Sequence, residues 1–390
     1  MLSASDLAAF QTLRRDLHAH PELGFAEKRT ATIVAERLAA LGWAVTTGLA
    51  GTGVVGVLDN GPGPVTGLRA DMDALPMTEA SGRPWASATA GVFHGCGHDG
   101  HTTILLALAA HLVRNRRFAG RIVLIFQPAE EGLGGGRVMV EEGLFDRFPC
   151  ERVYGFHNMP LLPLGTAAVR GGPSMASQDD FRVQFRGIGG HAAMPHLSRD
   201  PVLAAAEATV SLQGLIAREV GPHVAAALSV TQIHAGTTEN VIPAESWISG
   251  TIRTLDREAR VSLEAGLRRV CAGIAAARNV ACEVAVHHGF PVLVNDPAAA
   301  EQLRSAVQKA LGPQALRDDF PPLLAAEDFA YMLDACPGAY VLLGQQDGEH
   351  REMVHNPGYD FNDRLIPLAL GVFDALLAPE TAPDMAKERP

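Results

Sequence analysis

Arg121-Ile-Val-Leu-Ile-Phe-Gln-Pro-Ala-Glu-Glu131 joins an apolar run to a proline turn that ends in two carboxylates. A short continuous run of β-branched and aromatic residues marks a strand buried on both faces, as a parallel sheet requires. Helical and strand patterns alternate around it. Residues 3–17 and 28–41 carry the spacing of amphipathic helices, 43–47 and 53–58 are short β-rich runs, and a Pro/Gly loop at 60–64 leads into a strand at 65–70. An apolar helix at 102–113 precedes the opening stretch, and another strand candidate spans 152–156. This alternation predicts an α/β sheet.

The middle of the chain has a different order. A strand at 180–186, a helix at 201–218, strands at 225–234 and 245–254, a helix at 257–277 and a strand at 281–287 make a complete β-α-β-β-α-β unit, the ferredoxin-like pattern. After it, Asn295-Asp-Pro opens a helix, Tyr340-Val-Leu-Leu-Gly344 reads as a buried strand, and a last amphipathic helix covers 364–377. The α/β pattern therefore resumes. The expected organisation is a mixed-sheet α/β domain in two parts, 1–178 and 291–390, with an inserted unit at 179–290. The proline-rich, charged end from Pro379 to Pro390 is expected to fray.

With 390 residues, 47% of them hydrophobic, the chain can bury a large core and two domains are the prior. Its 32 basic against 43 acidic residues give a net charge of -11, which argues against nucleic acid and anionic membranes as partners and leaves a small-molecule substrate as the default. The first twenty residues have no basic, apolar and small-residue order of a leader, and no run approaches a membrane span. The five cysteines (Cys96, Cys150, Cys271, Cys282, Cys336) are scattered, which suits a reducing cytoplasm better than a disulfide framework.

Chemistry gathers in His94-Gly-Cys-Gly-His-Asp-Gly-His101 and at strand ends. Imidazole, thiolate and carboxylate are costly to bury uncompensated, so three histidines, a cysteine and an aspartate within eight residues point to a metal. A purely structural zinc site would be expected to pair cysteines, and only one is near. Asp71 and Asp73 follow one strand, Glu130 and Glu131 the next, His157 the strand at 152–156, and His355 lies a loop beyond 340–344. Open α/β sheets bind ligands outside the carboxyl ends of their strands. Taken singly, two adjacent glutamates read as solvated loop residues and a lone histidine as a core or surface residue.

Eight ordered motifs carry a resemblance: Arg15-Asp-Leu-His-Ala-His-Pro-Glu-Leu-Gly24, Arg69-Ala-Asp-Met-Asp-Ala-Leu-Pro76, Cys96-Gly-His98, Gln127-Pro-Ala-Glu-Glu-Gly132, Gly189-Gly-His-Ala-Ala-Met-Pro-His196, Glu239-Asn-Val-Ile-Pro243, Glu327-Asp-Phe329 and His355-Asn-Pro357. Together they resemble the M20 metallopeptidases, in the amidohydrolase branch of hippurate hydrolases, N-acyl-amino-acid amidohydrolases and plant auxin-conjugate hydrolases.

The resemblance implies a metallopeptidase catalytic domain carrying an inserted satellite domain through which a homodimer forms. It implies two divalent ions per subunit (zinc, manganese or nickel), with Cys96, His98, Glu131, His157 and His355 as ligands and Glu130 as general base. Adjacent carboxylates on an irregular loop can point apart, which suits that division of labour. The wider superfamily has His-x-Asp where this chain has Asp71-Met-Asp73, so the histidine is absent. Asp73 would then fix an imidazole tautomer or make a plain structural hydrogen bond. His191 in the insert would stabilise the oxyanion in its own or a partner's site, the rival being a tight turn with a surface imidazole. Asn240 and Arg253 would meet a substrate carboxylate, with a surface salt bridge as the rival for Arg253. His94 reads as a support behind the metal ligands or as structural, and His18, His20, His101 and His196 have no role.

The implied activity is hydrolysis of N-acyl-L-amino acids to a carboxylic acid and a free amino acid. A dipeptidase or carboxypeptidase of the same superfamily is the alternative. A non-catalytic binding protein on this fold would have lost Glu130 or ligands, and none is lost.

Overall fold

The computed structural model describes residues 2–379, so the charged tail expected to fray lies almost wholly outside the described residues. The chain divides into two compact units: one holds the residues up to Gly172, Val294–Pro321 and those from Tyr331 onward, the other Pro173–Leu293 and Pro322–Ala330.

The first unit is built on a seven-stranded mixed sheet. Its strands include β1 (Ala44–Leu49), β2 (Gly53–Asn60), β3 (Val65–Asp71), β4 (Gly120–Gln127) and β5 (Arg152–Pro163), with Gly338–Gln346 and the short Ala167–Ala168 completing it. The order is β1-β2-β4-β3-β5, then Gly338–Gln346, then Ala167–Ala168. Strand β3 runs parallel to both β4 and β5, and β5 parallel to Gly338–Gln346, whereas β1 and β2 are antiparallel additions. The apolar run that predicted a buried strand is β4, and Ile122 through Phe126 are at most 1% exposed. Burying each such side chain contributes about 1.5–3 kcal/mol.

Helices α1 (Ala4–Ala19), α2 (Lys28–Ala40) and α3 (His98–Arg114), with Pro297–Leu311 and Leu365–Leu377, pack on this sheet. Ser3 caps α1 with a capping box to Asp6. Helix α3 is apolar nearly all round and buried from His98 to Leu112, so it starts four residues before the expected 102. His98, Asp99 and His101 of the metal-type cluster therefore lie at the start of the helix, while His94 and Cys96 precede it. Strand β5 also outruns its expected end at 156, so His157 lies within the strand. Prolines at 160 and 163 disfavour a central strand, yet β5 carries them near its end.

The second unit has a four-stranded antiparallel sheet in the order Ala226–Ala235, Glu245–Thr254, Ser177–Arg186, Ala281–His288. Helices Pro201–Glu219 and Arg257–Arg278 cover one face, burying Phe181, Val183, Phe185, Leu228, Ile248 and Ile252. Burial alternates along Ser177–Arg186, as a sheet covered on one side requires. This is the β-α-β-β-α-β insert.

Candidate active site

Parallel β3, β4 and β5 bring their carboxyl ends to one edge, where Asp71, the Glu130-Glu131 turn and His157 lie. Cys96 joins them from just ahead of helix α3, and His98 from the first position of that helix. Its N-cap is Gly97, at φ 95°, and a Cβ at that position would lie 2.5 Å from both Asn158 Oδ1 and Tyr359 Oη. Only glycine lets the backbone pass so close while it turns into the helix. His355 arrives from the loop after Gly338–Gln346, itself at φ 66°, with its N–H donating to Gly95 O at 2.7 Å.

Two donor groups share Cys96. Cys96, His98 and His157 form one, Cys96, Glu131 and His355 the other, and within each the ligand atoms lie within 4.8 Å of one another. Cys96 Sγ is 3.3 Å from His157 Nε2. Two ligands at ~2.0 and ~2.3 Å from one tetrahedral ion would stand roughly 3.5 Å apart, so the spacing suits a shared cation.

Hydrogen bonds fix which nitrogen faces that space. His157 Nδ1 donates to the Asn158 carbonyl at 2.7 Å, and His98 Nδ1 donates to the Asp73 carbonyl at 2.9 Å beside Asp73 Oδ1 at 3.1 Å. A carbonyl only accepts, so both Nδ1 atoms carry protons and the Nε2 lone pairs are left for a ligand. The other oxygen of Asp73 accepts the Glu131 N–H at 3.0 Å. One carboxylate thus orients both an imidazole and the Glu131 backbone.

Electrostatics make the same demand for a cation. His98 Nε2 and Glu131 Oε1 are buried without a hydrogen-bond partner, 3.9 Å apart. Burial pushes the Cys96 thiol well above its usual range, and Glu131, Glu130 and Asp71 push it further. Burial would lower His98, but Asp71 and Asp73 outweigh it and raise the imidazole to about 10. Burial, with His101 beside it, holds His157 well below the usual histidine range. A divalent ion would neutralise this excess of negative charge and let the thiol ionise, so the residues fit the metal.

Several contributors had no sequence role. His101 bridges Asp71 Oδ1 at 2.6 Å and Asn158 Oδ1 at 2.7 Å, and Asn158 Nδ2 donates to Tyr359 Oη at 2.7 Å. Arg69 donates to Asp71 at 2.7 Å and to Gln127 at 2.8 Å. His101 stands three residues after His98, one turn along α3, which was the available signal. Asn158 offered none. His94 is buried with neither ring nitrogen partnered, and burial lowers it to about 4.

Beneath the cluster, His18 Nδ1 lies 2.8 Å from Asp99 and its Nε2 3.3 Å from Glu79, while buried Arg14 pairs with Asp363, Asp360 and Asp99. Burial would lower His18, but Asp99 and Glu79 raise it from 6.5 to about 9. Because its folded pKa lies above the unfolded one, its contribution to stability is complete below pH 6.5 and lost as pH rises through about 9. The thermal midpoint of metal-loaded protein is expected to fall over that window, and His18→Gln to flatten the fall. An unchanged slope in the variant would remove His18 from this role.

In the second unit, the two-residue ribbon pairing Gly190–His191 with Val241–Ile242 sets His191 beside Asn240, whose carbonyl accepts the Ala192 N–H at 3.0 Å. His191 is exposed, and its Nδ1 accepts the Ala193 N–H at 3.1 Å, which leaves Nε2 to carry the proton of the neutral ring. Arg253, half-buried on Glu245–Thr254, makes no salt bridge among the described residues, and Asp180 and Asp179 act on it only at longer range. Neighbouring Asp179 is already held by Arg260 at 2.6 Å and by His288 at 3.0 Å.

A mixed sheet with an inserted ferredoxin-like unit, and thiolate, imidazole and carboxylate donors at the strand ends, define a metal-dependent hydrolase of amide bonds. The chain belongs to peptidase family M20/M25/M40, whose sequence model matches residues 67–378. It is 38% identical to the hippurate hydrolase of Campylobacter jejuni over 94% of this chain and 95% of that protein. It is 39% identical to thermostable carboxypeptidase 2 of Saccharolobus solfataricus over 86% of this chain and 85% of that protein. The crystal structure of the Bacillus subtilis YXEP protein, described as a dinuclear metal-binding peptidase of family M20, superposes with a TM-score of 0.84 at 33% identity, covering 96% of this chain and 98% of that one.

Proposed function

We propose that the protein hydrolyses N-acyl-L-amino acids, releasing a carboxylic acid and a free amino acid. The observation that carries this is the pair of donor groups sharing Cys96, with the Glu130 carboxylate beside ligand Glu131. Cys96, His98, Glu131, His157 and His355 would hold two divalent ions of zinc, manganese or nickel. When bound, these would polarise the substrate carbonyl and acidify water.

Glu130 takes a proton from the attacking water and returns it to the departing amine nitrogen. Asp73 holds His98 in the tautomer that leaves Nε2 free and steadies the Glu131 backbone. His191 donates from Nε2 to the developing oxyanion. Arg253, whose guanidinium makes no salt bridge among the described residues, and Asn240 receive the α-carboxylate of the amino-acid half. A homodimer through the inserted domain and a cytoplasmic location belong to the same reading; all five cysteines are free thiols, which suits a reducing compartment. Among the described residues no helix is long and apolar enough to cross a membrane.

The carboxypeptidase relative favours a second reading, cleavage of true peptides. Both readings need a free carboxylate on the leaving amino acid, and they differ in whether the acyl half carries a free amine. A panel of N-acetyl, N-benzoyl and indole-acetyl amino acids, their methyl esters and matched dipeptides separates them, run with metal analysis, mass by light scattering and cell fractionation. The expected result is turnover of the acylated acids, weak turnover of dipeptides and a raised KM for the esters. Preference for dipeptides would hand the function to the second reading.

A further inference from the structure

Ala129, immediately before Glu130, has φ 54°, in the left-handed region that L residues adopt at a cost. Such strain persists only where the surroundings over-determine the backbone. The Ala129 N–H donates to Glu27 Oε1 at 2.8 Å, and its carbonyl accepts the Gly135 N–H at 2.9 Å. On the far side of Glu130, the Glu131 N–H donates to Asp73 at 3.0 Å. The Glu130 peptide is therefore anchored on both sides by carboxylates from other segments.

Glu27 is oddly used for its position. It is the N-cap residue of α2, a place usually held by shorter side chains that accept an N–H from the first turn, and it makes no such bond. Glu22 takes that task, accepting the Arg29 and Thr30 N–H groups at 2.9 Å each. The Glu27 side chain is released inward, where it is fully buried and its second oxygen accepts the Thr52 hydroxyl at 2.6 Å. Burial raises its pKa, the cost of keeping a carboxylate there. Gly24 lies over the same turn, and a Cβ on it would stand 3.0 Å from Ala129 Cα.

We propose that Glu27 is a positioning residue for the catalytic turn: by holding the Ala129 N–H, it keeps that residue in its strained conformation and aims the Glu130 carboxylate. The proposal rests on Glu130 being the general base. Because Asp73 separately holds Glu131, loss of the Glu27 clamp displaces the base and leaves the metal ligand in place. Reach matters here rather than charge.

The test uses metal-loaded Glu27→Asp, which keeps the charge and shortens the reach, and Glu27→Gln, which keeps the reach and loses the charge. Glu27→Asp is expected to lower kcat by about 10²-fold, the effect of ångström-scale misplacement, with KM and metal content unchanged. Glu27→Gln is expected to stay close to wild type with an unshifted pH profile. The reverse order, wild-type kcat in Glu27→Asp, or loss of metal together with kcat would overturn the proposal. Ala129→Gly, added to Glu27→Asp, should recover part of kcat because glycine takes positive φ freely, and no recovery counts against it. Glu130→Gln is measured in parallel. Turnover surviving there defeats the base reading itself, whereas an inactive Glu130→Gln beside an unimpaired Glu27→Asp defeats only the clamp.

Discussion

Glu130→Gln is expected to reduce kcat by up to ~10⁴-fold, the upper end for a positioned acid–base group, while the protein keeps close to two metal ions per subunit. Glutamine preserves the volume and an acceptor oxygen at a site only 7% exposed, so the turn and its hydrogen bonds survive. What disappears is the capacity to take a proton from water and deliver it to nitrogen. Both halves of the reaction use that capacity, so the effect falls on kcat and not on KM. Unchanged turnover would end the general-base role. Loss of metal instead would move Glu130 among the ligands, a position its closeness to His98 and Glu131 makes physically available.

What the sequence disclosed and what it withheld follow from the range of the interactions. The buried strand β4 was legible because an apolar run bounded by polar residues and proline has few other uses, and the inserted unit because its six elements each keep their own period. Cys96 and His98 stood out because such donors are seldom adjacent by chance. Tertiary partnerships were not legible. His18 meets Asp99 across 81 positions, and Glu27 meets Ala129 across 102. Nothing in the local sequence around Glu27 points to Ala129, and only the fold shows Glu22 accepting from the first turn of α2. The start of α3 is hidden because Gly97, His98 and Gly100 look like loop, whereas Gly97 caps the helix through its positive φ. The two-residue ribbon at His191 is too short for any periodic signal.

His191→Ala is expected to lower kcat by roughly 10²–10³-fold with a small change in KM, the loss typical of one oxyanion donor. Exposure by itself would favour a surface imidazole of no consequence. The ring's tautomer weighs against that: the Ala193 N–H occupies Nδ1 at 3.1 Å, so the neutral ring presents an N–H at Nε2, the form a donor must have. The ribbon pairing His191 with Val241 also fixes its backbone beside Asn240, which the proposed function assigns to the same substrate. Near-wild-type kcat would return His191 to a structural role. Mixing His191→Ala subunits with Glu130→Gln subunits then tells whose site it serves. If His191 acts across a dimer, one site in each mixed dimer combines an intact Glu130 with an intact His191, and activity reappears on mixing. If it acts within its own chain, every site lacks one of the two groups and the mixture stays inactive.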